Sequence, residues 1–183
     1  MAAGEVGVSL APSAARQTLS NLMQLYMHDF SQFWGGTADG ELGEDGRFGE
    51  YPYLDAYWRE SGRVPLLIRA GGSLAGFALV NDASHSGRPV DRNVAEFFIV
   101  RKHRRGGVGA AAARAIFSLY PGQWEAAVAR RNEGALAFWR QAVAGHPSVG
   151  DLEELDLSDA RWNGVILRFR INATNTGKMA CAS

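Results

Sequence analysis

Arg101, Lys102, His103, Arg104 and Arg105 stand directly before Gly106 and Gly107, with Gly109 two residues further on. Cations and glycines packed this closely suit the holding of a phosphorylated ligand. Glycine lets a ligand approach the backbone closely. A helix that starts at such a turn offers unpaired N–H groups and the positive end of its dipole, which together form an anion site. Arginine adds charged donors in a fork that matches phosphate oxygens. The plain alternative is a solvated basic corner, and the flanking residues argue against it. Residues 94–100, Val-Ala-Glu-Phe-Phe-Ile-Val, are apolar, aromatic and β-branched, the composition of a buried strand. After the glycines, Val108, Ala112, Ala115, Ile116 and Leu119 recur at helical spacing. The pattern is strand, basic glycine turn, helix, and it predicts a pyrophosphate site.

One charge, Glu96, interrupts the strand. A carboxylate among apolar neighbours is pushed toward the neutral form, into the range of a useful general base. Alternation sets Glu96 on the same face as Phe98 and Val100. The competing reading is a Glu paired to a nearby Arg or set at a strand edge.

Two nucleotide-binding patterns fail on the residues. A Walker loop needs Lys and then Ser or Thr after its last glycine, where Ala110 and Ala111 stand. A dinucleotide fingerprint has different glycine spacing and no cations before it. Arg104-Arg105-Gly106-Gly107-Val108-Gly109 instead resembles the acetyl-CoA-binding motif of the GNAT superfamily of N-acetyltransferases, Gln/Arg-x-x-Gly-x-Gly/Ala. Asn132-Glu133-Gly134-Ala135-Leu136-Ala137-Phe138-Trp139 resembles the second signature of that family, Asn-x-x-Ala-x-x-Phe-Tyr.

The resemblance implies an α/β GNAT fold: a mixed, mostly antiparallel sheet, splayed at its centre, with helices on both faces. It implies acetyl-CoA as co-substrate. Arg104, Arg105, Gly106, Gly107, Val108, Gly109 and Ala110 would cradle the pyrophosphate. The backbone of Phe98, Ile99 and Val100 would bond the pantetheine arm. Asn132 would contact that arm or cap its helix, and Ala135, Phe138 and Trp139 would pack against the arm and its thiol end. Glu96 would be the base, directly or through water. Many members protonate the departing thiolate with a Tyr where this chain has Trp139. Tyr120, Tyr26 or a water are the candidates left.

The elements that position these residues can be read from either end. Val6, Val8 and Leu10 alternate as a first strand. Leu19, Leu22, Met23, Tyr26, Met27 and Phe30 make an amphipathic helix. In the resembling fold the first helices cover the acceptor, so Tyr26, His28 and Asp29 are candidate acceptor contacts; core packing for Tyr26 and a solvated helix end for the other two are the plain readings. Residues 35–50 form an acidic, glycine-rich loop, and the aromatic residues Tyr51, Tyr53, Tyr57 and Trp58 follow. Residues 64–69 and 74–80 read as a hairpin, and 81–92 as a polar loop. Beyond the central helix come a strand through Trp124, Ala126 and Val128, a helix capped by Asn132, and a closing hairpin.

At 183 residues, with 19 basic and 19 acidic side chains, the chain reads as one domain over residues 1–173, with 174–183 a disordered tail. Zero net charge argues against a nucleic-acid partner, and no apolar run suits a membrane span. One cysteine and four histidines give no disulfide framework and no metal cluster. These features predict a cytoplasmic protein without a metal, and the resemblance implies that it is an acetyl-CoA-dependent N-acetyltransferase. Its acceptor is an amine of a small molecule, amino acid or peptide, and a homodimer is possible on the family's habit. The second reading is an acyl-CoA-binding sensor with little catalysis.

Overall fold

In the computed structural model the described residues are 4–173, apart from 36, 38 and 39; the tail expected at 174–183 lies outside them. A seven-stranded sheet runs in the order β1-β2-β3-β4-β5-β7-β6. Its strands are β1 (Val6–Leu10), β2 (Val64–Ala70), β3 (Ser73–Asn81), β4 (Arg92–Ile99), β5 (Gly122–Ala129), β6 (Val149–Ser158) and β7 (Asn163–Ile171). Every neighbouring pair is antiparallel except β4 and β5. The β2–β3 hairpin turns on Gly71 and Gly72, both at positive φ, as a two-residue hairpin turn of matching twist demands.

Three helices cover the sheet: α1 (Arg16–Phe30), α2 (Val108–Leu119) and α3 (Glu133–Ala144). Alternation along the strands makes two cores. Under α1 lie Leu67, Phe77, Leu79 and Phe98, against Leu19, Leu22 and Met23. On the opposite face Ile68, Val80, Ile99, Trp124 and Phe169 pack with α2 and α3. The buried face of α2 is Val108, Ala112, Ala113, Ile116 and Phe117. Leu119, expected on it, is 54% exposed, because Phe117 reaches into the Trp124–Phe169 stack and turns that face inward.

The parallel β4–β5 pairing covers only Arg92–Val94 against Trp124–Ala126, and beyond it the two strands part. A bulge opposite Leu79/Val80 inserts Ala95 between Val94 and Glu96. Val94 therefore faces α2, whereas Glu96, two residues on, faces α1 with Phe98 and Val100.

The 82–91 loop, polar in sequence, is anchored by a buried carboxylate. Glu125 is fully buried on β5 and accepts the His85 N–H at 2.9 Å, a hydroxyl hydrogen bond from Ser86, and Arg168 Nη1 at 2.7 Å. Arg168 also donates to the Pro89 carbonyl at 2.5 Å. Burial pushes the Glu125 carboxyl up, but the Ser86 hydroxyl, the loop N–H groups and Arg168 outweigh it and hold it below the usual range. No helix among the described residues is long and apolar enough to cross a membrane.

Candidate active site

The basic turn forms as its sequence requires. Residues 101–103 make one 3-10 turn, Arg105 has φ +62°, and Gly107, the N-cap of α2, has φ +82°. The first helical bond of α2 at this end runs from Ala111 N–H to the Gly107 carbonyl at 3.0 Å. The N–H groups of Val108, Gly109 and Ala110 thus precede any carbonyl one turn back. A Cβ added at Gly106 or Gly107 would meet open space, so the turn before these N–H groups is uncrowded, and helix N-termini of this kind bind anions. The residues present fit the phosphates of coenzyme A. A Gly107→Ala side chain enters that space at an unfavourable positive φ. By calorimetry this variant should bind acetyl-CoA at least about tenfold more weakly, in a protein whose melting temperature falls by only about 2–4 °C for each 1 kcal/mol lost.

The Arg104 side chain has partners of its own. Its Nε donates to the Ile99 carbonyl at 2.6 Å, its guanidinium lies 5.3 Å from the Phe98 ring centroid, and its Nη2 pairs with Asp29. The side chain braces the turn against α1, on the sheet face opposite α2 and α3. Asp29, a candidate acceptor contact, is held by Arg101 and Arg104. His28, also a candidate, is exposed, with its ring 6.5 Å from Phe48.

The backbone facing the β4–β5 gap also differs from expectation. The Val100 N–H bonds the Ala75 carbonyl at 2.8 Å, and the Phe98 carbonyl points at Gly76, both toward β3. Alternation turns the polar groups of Phe97 and the Ile99 N–H to the gap instead, the Ile99 carbonyl being taken by Arg104. Phe97 was missed because its apolar side chain gives no sign of the direction of its peptide groups. The other wall of the gap is aromatic: Phe97 stacks on Phe138 at 5.6 Å between centroids, and Trp139, 7% exposed, packs edge-on to both. Asn132 caps α3 by accepting the Ala135 N–H at 3.1 Å, and Phe138 contacts the position a Gly109 Cβ would occupy.

Glu96 lies at the head of the gap, two residues past the last β4–β5 pair. Its Oε2 accepts the Tyr26 hydroxyl at 2.5 Å, and Tyr51 faces the same carboxylate. Burial is the largest influence on Glu96 and outweighs both hydroxyls, raising its pKa to about 7. Burial, then the Glu96 charge, pushes the Tyr26 hydroxyl well above its ordinary value. Rings of Phe30, Phe77 and Phe98 fix Tyr26 at 5.2–6.0 Å. Tyr120 is elsewhere, with its ring over Arg92. Tyr51 came from an aromatic cluster whose spacing showed only packing; its partner is 45 positions away in sequence and was not legible. Among the described residues no group of three or more His, Cys, Asp or Glu side chains is placed to hold a metal ion.

The sheet is mixed and splayed at one parallel pair, with a helix N-terminus and a carboxylate at the splay. The chain belongs to the acetyltransferase (GNAT) family, whose model matches residues 19–143. No curated protein sequence matches it. Solved structures share the fold at low identity. An acetyltransferase from Thermus thermophilus is 14% identical with TM-score 0.61, covering 93% of this chain and 99% of that one. The aminoglycoside acetyltransferase AAC(6')-Ib, in complex with coenzyme A, is 12% identical with TM-score 0.58, covering 90% and 93%. The PaiA N-acetyltransferase from Thermoplasma acidophilum, in complex with coenzyme A, is 10% identical with TM-score 0.55, covering 92% and 99%.

Proposed function

We propose that the protein is an acetyl-CoA-dependent N-acetyltransferase acting in the cytoplasm on an amine of a small molecule, an amino acid or a peptide. The observation that carries this reading is the Glu96 carboxylate, set at the splay of β4 and β5, bonded by the Tyr26 hydroxyl, faced by Tyr51 and poised near neutrality. Bound acetyl-CoA supplies an acetyl thioester. An amine attacks such a group only when neutral, and an ionised Glu96 accepts its proton. A base near the working pH is both ionised often enough to act and basic enough to help. The Phe97 N–H, turned to the gap next to Glu96, is the donor for charge that develops on the carbonyl oxygen. The N–H groups of Val108, Gly109 and Ala110 hold the pyrophosphate. Trp139 offers no hydroxyl, so the proton for the leaving thiolate comes from the hydroxyl already on Glu96, that of Tyr26.

The experiment is release of free coenzyme A thiol from acetyl-CoA across a panel of primary amines, with matched alcohols as controls. The reading expects thiol release that depends on an amine and yields an amide. Tight acetyl-CoA binding without release by any amine, insensitive to Glu96→Gln, would favour a sensor instead.

A further inference from the structure

The segment from Tyr26 to Phe33 is tied to the sheet at three successive points. Tyr26 bonds Glu96 of β4. One turn on, Asp29 takes Nε of Arg101 at 2.9 Å and Nη2 at 2.7 Å on one carboxylate oxygen, and Arg104 on the other. Phe33 offers its carbonyl to Arg131, in the turn after β5, at 3.2 Å. The strap thus reaches from the turn after β4 to the turn after β5. Asp29 is 15% exposed, although its partners sit at the surface. Arg104 is committed on every side: Nε to the Ile99 carbonyl, Nη2 to Asp29, and its flat face to Phe98.

We propose that Asp29 is a positioning residue, latching α1 to the cofactor turn through Arg104 and Arg101 so that the turn and the Tyr26–Glu96 contact are set together. This rests on Glu96 being the base. Residues three apart on a helix share a face, so Tyr26 and Asp29 are consecutive rungs of one face, standing on the middle and the end of β4. A guanidinium held by a carboxylate, a carbonyl and an aromatic face has one geometry. Whatever orders the turn therefore orders the helix that carries Tyr26. The arrangement also separates the labours of the basic run, in which Arg104 braces and the N–H groups of α2 meet phosphate.

The latch predicts a split that a merely structural residue would not show. Asp29→Asn keeps the shape and removes the charge. It is expected to lower kcat about tenfold while the acetyl-CoA Kd stays within about threefold, a coupling of ordinary size for contacts in one network. Arg104→Met, which keeps the stem on Phe98, should give the same loss, and the double variant should be no worse than either alone. The second readout needs no activity: the Glu96 titration followed by carbon-13 NMR in the free protein. The groups facing Glu96 are Tyr26 from α1 and Tyr51 and Tyr57 from residues 51–58. Loosening Tyr26 removes a donor to the ionised form, so the Glu96 midpoint should rise in Asp29→Asn. An unmoved midpoint with a lower melting temperature would make Asp29 a structural brace and overturn the proposal. Tenfold tighter acetyl-CoA binding at unchanged kcat would also overturn it, by making Asp29 a competitor of the phosphates. If the wild type transfers acetyl to no amine, the functional reading fails by itself, and the Glu96 midpoint still decides the latch.

Discussion

Replacing Glu96 with Gln should lower kcat/KM for the amine by about 10²- to 10⁴-fold near neutral pH, the size expected when a general base is lost. Gln has nearly the same shape and still accepts the Tyr26 hydroxyl, so acetyl-CoA binding should change little. The same variant should be the more stable protein at about pH 8. The sign follows from linkage. The folded pKa of Glu96 is raised to about 7, above its ordinary value. The folded state therefore keeps its proton where the unfolded chain has lost it, and stability falls as pH rises between the two values. Above about pH 7 wild type carries this whole cost and the Gln variant none. Thermal unfolding at about pH 5 and about pH 8 measures it: the melting-temperature advantage of Glu96→Gln should be larger at the higher pH. Loss of activity with gain of stability separates a chemical role from a structural one.

Glu125→Ala should be the most damaging single change to the fold, costing about 3–5 kcal/mol, because it leaves Arg168 buried without its partner. It also frees Ser86 and the His85 N–H, and with them the loop that leads into β4. Urea unfolding measures the loss. Replacing Glu125 and Arg168 together by Leu and Met should be less harmful than Glu125→Ala alone, since no charge is then stranded. The pH dependence has the opposite sign to that of Glu96. The Glu125 carboxyl is held below the usual range, so its contribution is present above about pH 4.3, its unfolded value, and is lost as pH falls through its folded value. The gap between wild type and Glu125→Gln should close in acid.

What the sequence showed and what it hid divide along the range of the interactions. The hairpin at Gly71–Gly72, the α3 cap at Asn132 and the strand-turn-helix around Gly107 are local, and each has its cause within a few residues. Glu96 was legible as a candidate base for the same reason, since one charge in an apolar run stands out. The partners of Asp29 were not legible because they lie 72 and 75 positions away. Helical spacing shows that it faces outward from the core of α1, but not that Arg101 and Arg104 are there to meet it. The gap-facing peptide groups shifted from Phe98 and Val100 to Phe97 and Ile99, because side-chain type does not reveal which way a peptide group points. The bulge at Ala95 had no mark either: alternation alone would keep Val94 on the Glu96 face. Glu125 lies on the strand read from Trp124, Ala126 and Val128, and only the return of the 82–91 loop and of β7 explains its burial.

The account rests most heavily on Glu96 as the base for an amine. The most direct measurement is kcat/KM for an amine acceptor from about pH 5 to pH 9, in wild type and Glu96→Gln. The predicted result is an ionisation near pH 7 that raises the rate in wild type and is missing from the variant. Any ionisation of the amine itself appears in both profiles and cancels in the comparison. Profiles of the same shape and height in the two proteins would contradict the assignment of Glu96 as the base.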